Sequence, residues 1–158
     1  MDTPSCPAPT PSPTVSSDDL VAEARDWIGV KWKHMGRTRG GIDCIGLIYV
    51  VGLKFGLHSY EDKVLYTRLS SGLEMTRHFR KHGVHVPLGP GGLDALHDAD
   101  VILLRDRVMP QHVGMIATKG GHRTLIHAAI VNRGVMEETL SDEHRRLAIT
   151  AFRFPALA

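Results

Sequence analysis

Gly40-Gly41-Ile42-Asp43-Cys44-Ile45-Gly46-Leu47-Ile48-Tyr49-Val50-Val51-Gly52-Leu53-Lys54-Phe55-Gly56 is the stretch on which the fold turns. After Cys44, the apolar residues Ile45, Leu47, Ile48, Val50, Val51, Leu53 and Phe55 occupy every side of a helix, which predicts a central buried element rather than an amphipathic one. Gly56 follows as the residue that ends it. A cysteine in the first turn of such a helix lies beside unpaired backbone N–H groups and the positive end of the dipole, which lowers a thiol pKa from about 8.5. The Cys44 amide is a natural oxyanion donor there, and Gly40, Gly41 and Gly46 let backbone come close to the sulfur.

Upstream, Ser16 with Asp19 three residues on forms a capping box, and Leu20, Val21, Ala24, Trp27 and Ile28 share one helical face, predicting a helix over residues 17–28. Residues 30–42, rich in glycine and cations, read as an irregular loop. Residues 1–16, with prolines at 4, 7, 9, 11 and 13, read as a flexible arm ahead of a single domain over residues 17–158. Downstream, Ser71 and Glu74 form a second capping box that opens a helix running to about His82. The period then changes. Residues 101–105, 112–118, 123–128, 134–140 and 148–154 are short β-favouring runs, with one helical turn expected over 141–146. Helices first and a meander second predict an α+β fold, N-terminal helices packed on a C-terminal antiparallel sheet of about five strands.

The composition bounds the rest. At 158 residues, 42% hydrophobic and 23% charged, the chain suits one domain, which buries roughly 68–70% of its unfolded surface and needs no disulfide or metal brace. A net charge of +2 is too small and dispersed to predict nucleic-acid binding. Cys6 and Cys44 are far apart, so no structural disulfide is expected. The leader lacks the pattern of a secretory signal and no stretch is long enough to span a bilayer, so synthesis in the cytoplasm without an export signal is expected.

A thiolate needs a base, and the histidines supply candidates by register. If Lys119-Gly120 or Gly120-Gly121 is a two-residue hairpin turn, paired positions sum to 239 or 241, which puts His127 opposite or diagonal to His112 on one face of the sheet. Gly114, Ile116 and Leu125 share that face, while Val113, Met115, Ile126 and Ala128 point the other way. A helix carrying Cys44 and packed on the imidazole face would complete nucleophile, base and orienter. A lone buried cysteine is more often an inert small hydrophobe, and one strand histidine is more often a hydrogen-bonded core residue; the pair of imidazoles carries the information. His78 and His82, at i and i+4 with His85 beyond, have metal-clamp spacing, but no cysteine pair accompanies them and Arg77, Arg80 and Lys81 nearby favour a solvated face. No metal and no cofactor are expected.

The ordered set Gly40-Gly41-Ile42-Asp43-Cys44-Ile45-Gly46-Leu47-Ile48, then His112-Val113-Gly114-Met115, then Ile126-His127-Ala128 resembles the NlpC/p60-type papain-like cysteine peptidases of bacterial cell walls. Residues 151–155 look like the branch found in bacteriophage tails and gene transfer agents. The resemblance implies a papain-like fold, Cys44 as nucleophile, His112 as general base and His127 as the residue that holds its ring. It implies cleavage of amide bonds in peptidoglycan stem peptides, commonly between D-γ-glutamate and a diamino acid, through a thioester that water resolves. The implied partners are the stem peptide and tail hub or tip proteins, and the implied location is the virion tail. Relatives commonly carry Tyr where Trp32 stands and Ser where Ile45 stands; with Asp43 these positions help bind the substrate's free amine, so the amine-binding set is reduced here to Asp43. Trp32 offers an aromatic wall and one N–H donor, and Ile45 offers no polar group, so a different acyl group or a longer stem is expected. The competing expectation is a catalytically silent tail hub or plug of the same fold, and a third is an acyltransferase or amidase using the same thioester.

Overall fold

A computed structural model describes residues 14–57, 72–106 and 109–157. The first helix, α1 (Ser17–Asp26), starts where the capping box places it: the Ser16 Oγ accepts from the Asp19 N–H at 3.2 Å and the Asp19 carboxylate accepts from the Ser16 N–H at 2.9 Å. It ends two residues before the expected position, with Leu20, Val21 and Ala24 turned to the core. The arm before residue 14, Cys6 included, lies outside the described residues, as does the Ser71 cap of the third helix.

The glycine- and cation-rich segment is more ordered than its composition suggests. Short strands β1 (Arg37–Thr38) and β2 (Gly41–Ile42) pair antiparallel, Arg37 with Ile42 and Thr38 with Gly41. This hairpin delivers the chain to α2 (Cys44–Lys54), whose residues 45–52 are all buried, as an all-round apolar helix must be. Asp43 is its N-cap, accepting from the Gly46 N–H at 2.8 Å, and Phe55 and Gly56 (φ +67°) end it. A Cβ at Gly46 would run into the Gly36 carbonyl oxygen, so the glycine lets the hairpin lie flat on the helix start.

Helix α3 (Gly72–His82) leads to β3 (Val84–Val86), a three-residue strand too short to show an alternation in sequence. A 3-10 turn (Gly92–Ala95) precedes the meander β4 (Val101–Asp106), β5 (Met109–Lys119), β6 (His122–Ala129) and β7 (Gly134–Thr139), followed by the short helix α4 (Asp142–Leu147) and β8 (Ala148–Arg153). These form one antiparallel six-stranded sheet in the order β3-β8-β4-β5-β6-β7, one strand more than expected. Gly120 and Gly121, both at positive φ (+57° and +79°), make the tight β5–β6 turn, and Lys119 pairs with His122 and Met115 with Ile126, so paired positions sum to 241.

The sheet has two apolar faces. Val113, Met115, Ala117, Ile126 and Ala128 pack in one cluster with α1 and α2, while Ile116 and Leu125 join Leu93, Leu96 and Leu140 in a second cluster. Two part-buried ion pairs tie distant elements. Arg25 of α1 grips Glu137 of β7 through Nε and Nη2 at 3.0 and 2.8 Å, and Arg153 at the end of β8 grips Asp100 before β4 at 2.7 and 2.8 Å. Among the described residues no helix is long and apolar enough to cross a membrane.

Candidate functional site

Cys44 is the first residue of α2 and is half-buried. Backbone N–H groups of Val113, Ile45 and Cys44 itself point at its sulfur and favour the thiolate. Burial works against them, and so does the Asp43 carboxylate next door; together they push the thiol up to about 12. The sequence reading expected a lowered value from the helix start. The difference is physical: close packing around the sulfur and an adjacent negative charge outweigh a few N–H dipoles.

The Val113 N–H sets the sulfur against β5 immediately after His112. Helix α2 does not pack on the imidazole face, as the sequence reading had it. It packs on the opposite face, against Val113, Met115 and Ala117, and the thiol meets the strand at its backbone. Among the described residues no hydrogen bond joins the sulfur to an imidazole; such contacts commonly tighten only when substrate is bound.

His112 and His127 meet as the register predicts. Their Nε2 and Nδ1 atoms are 2.7 Å apart, with ring planes at 70° and centroids 5.0 Å apart. Gly114 lies between them on the same face; a Cβ there would collide with the Leu125 side chain and lie 3.1 Å from the His127 Cβ. Burial, then the neighbouring His127 and His144, push His112 down to about 3, so its ring is neutral. Burial also lowers His127, against the pull of Glu138.

Sequence reasoning missed two members of this set. The other ring nitrogen of His127, Nε2, lies 2.7 Å from the Glu138 carboxylate on β7, and His144 of α4 places its own Nε2 3.6 Å from the same oxygen. His127 pairs with Met136, so Glu138, two residues further along β7, is its diagonal neighbour on the same face. The signal was the parity of the second hairpin, where paired positions sum to 263, as in Ala129 with Gly134.

The three residues expected to bind substrate are placed differently from one another. The Asp43 carboxylate is committed inside the fold: it is 3% exposed and accepts from the Met35 N–H at 2.7 Å, the Gly46 N–H at 2.8 Å and Arg37 at 3.1 Å. Arg37 thereby neutralises the carboxylate that the sequence likeness assigns to an amine. Trp32 stacks on His34 beside β2, bridged to Ile42. Ile45 is buried and lines an apolar cavity with Ile48, Tyr49, Phe79, Val101 and Phe152, to which neither Cys44 nor His112 contributes. The ring centroids of His78 and His82 lie 4.7 Å apart with their planes tilted at 50°, and among the described residues no group of three or more side chains suited to a metal occurs.

A thiol at a helix start, two imidazoles in series and a carboxylate behind them are the parts needed for nucleophilic acyl transfer. No family profile matches the sequence and no curated protein matches it. Solved structures do. An NlpC/P60 family protein from Bacillus cereus ATCC 10987 is 22% identical with a TM-score of 0.66, covering 90% of this chain and 41% of its own length. The NlpC/p60 domain of the peptidoglycan hydrolase SagA is 19% identical with a TM-score of 0.62, over 89% of this chain and 100% of that domain. An N-acetylmuramoyl-L-alanine amidase from Bacteroides uniformis ATCC 8492 is 10% identical with a TM-score of 0.60, over 87% and 98%. The chain has the NlpC/p60 papain-like fold, and it spans about two-fifths of the length of the Bacillus protein.

Proposed function

We propose that the chain is a cysteine peptidase that hydrolyses amide bonds in peptidoglycan stem peptides. The observation that carries this reading is the His112–His127 pair at 2.7 Å, with the Cys44 sulfur held at the Val113 N–H, the next residue along β5. In this mechanism the Cys44 sulfur attacks the carbonyl carbon while His112 takes the thiol proton. The oxyanion forms beside the N–H groups of the first turn of α2. His112 then returns the proton to the leaving nitrogen as the C–N bond breaks, leaving a thioester. Water, deprotonated by the same ring, adds to the thioester carbon, and the carboxylate leaves as the thiol is restored. Thiol and ring are both held neutral at rest, so the proton moves within the catalytic cycle rather than before it.

The sequence likeness supports the D-γ-glutamyl–diamino acid bond as the scissile bond, and a bacteriophage tail as the setting, with tail hub or tip proteins as neighbours and local opening of the wall as the task. The engaged Asp43 carboxylate and the apolar surroundings of Ile45 favour a stem peptide that presents no free amine at this end. The silent tail hub finds support in one observation, the raised thiol of Cys44. The test is incubation of the full-length chain with peptidoglycan sacculi and soluble muropeptides in reducing buffer between pH 5 and 9, products being read by mass spectrometry. Cleaved stem peptides from wild type and none from Cys44→Ala are expected. Intact substrate with wild type at every pH overturns the peptidase reading and leaves the tail hub.

A further inference from the structure

Beyond the three groups already given roles, the structure contains a polar chain that ends on a half-buried carboxylate, and the hydrogen bonds along it leave little freedom in where the protons sit. The Ser141 N–H donates to His144 Nδ1 at 3.1 Å, so that nitrogen is bare and the His144 proton is on Nε2, which faces the Glu138 Oε1 at 3.6 Å. The same oxygen lies 2.7 Å from His127 Nε2. A carboxylate only accepts, so His127 Nε2 carries the proton and His127 Nδ1 is bare. Nδ1 must then accept from His112 Nε2, 2.7 Å away, which leaves His112 Nδ1 as the one nitrogen of the series with a free lone pair.

We propose that Glu138, seated by His144, is the positioning residue that sets the tautomers of both imidazoles, so that His112 always presents Nδ1 as the base. This deepens the peptidase reading and rests on Cys44 as nucleophile. When His112 gains the thiol proton at Nδ1, the positive charge is shared down a line of N–H donors that ends on the carboxylate, with no need for a proton to leave the chain. The groups facing Glu138 are His127 from β6 and His144 from α4, and His112 lies one ring further along β5. A glutamine at 138 would accept from His127 or donate to it, and the donating form reverses the tautomers of His127 and His112 and leaves His112 Nδ1 protonated.

The experiment compares wild type, Glu138→Gln, Glu138→Ala and Glu138→Asp in the full chain, with ring-labelled histidine. Long-range ¹⁵N–¹H correlation reads the tautomer of each ring directly, whether or not the protein turns over. Nε2–H forms of His112 and His127 are expected in wild type and mixed tautomers in Glu138→Gln and Glu138→Ala. In kinetics, kcat is expected to fall about 10- to 100-fold with KM nearly unchanged, and Glu138→Asp to recover part of it. Unchanged tautomers in both Glu138→Gln and Glu138→Ala overturn the proposal, as does a wild-type kcat in these variants. A wild type with the expected tautomers and no hydrolysis overturns the peptidase reading instead.

Discussion

His112 is a histidine stored without charge. Burial first, then the charges that His127 beside it and His144 further along would carry, hold its ring down near 3, against about 6.5 in an unfolded chain. Between those two values the unfolded chain takes up a proton that the folded one refuses. The stability associated with this residue is therefore complete above pH 6.5 and is lost as the pH falls toward 3, by about 1.4 kcal/mol per pH unit. Denaturant unfolding of wild type and His112→Gln between pH 4.5 and 7 tests this: the variant is expected to show a slope shallower by about one proton, and identical slopes would rule out a neutral buried ring. Much of the site was legible at this scale. Cys44 at the start of an apolar helix, and His112 with His127 one diagonal apart, follow from spacing alone. The charge state of the thiol did not, because it depends on how closely other elements pack around the sulfur. Nor did the fate of Asp43, whose partners Met35 and Arg37 come from a loop that no periodicity describes.

Between elements, turns decided what could be read. The Gly120–Gly121 turn leaves a two-residue hairpin as the natural solution, and β5 and β6 fall into the expected register. The β6–β7 connection over residues 130–133 has no such signature, so the parity that brings Glu138 to His127 stayed hidden. β3 was missed because three residues are too few to establish a strand period, and the β1–β2 pair because its glycines suggest an irregular loop where they serve close packing. The Asp100–Arg153 pair belongs to this scale as well, since it joins the entrance of β4 to the exit of β8. Asp100 is fully buried, and Arg153 → Ala would leave its charge without a cation. A loss of about 3–5 kcal/mol in unfolding free energy is expected, by equilibrium denaturation, with Asp100→Asn/Arg153→Ala less damaged than Arg153→Ala alone. Equal losses in the two variants would show that the pair's charge is not what matters.

Across the whole molecule, the site exists only once the sheet has closed. Cys44 comes from a central helix, His112 and His127 from adjacent strands, Glu138 from the edge strand and His144 from the short helix beyond it. The two faces of the sheet divide the labour. One holds α2 in place through Val113, Met115 and Ala117, and the other carries the imidazoles, while the sulfur meets β5 at the Val113 N–H. In the proposed peptidase this sulfur forms a covalent bond to substrate. Its most direct test is intact-mass and peptide mapping of acid-quenched mixtures of the Cys6→Ser chain with stem peptide, run beside Cys6→Ser/Cys44→Ala. A substrate-derived acyl group is expected on the peptide that contains Cys44, with neither adduct nor product from the double variant. Product released by the double variant at the rate of its parent would contradict it.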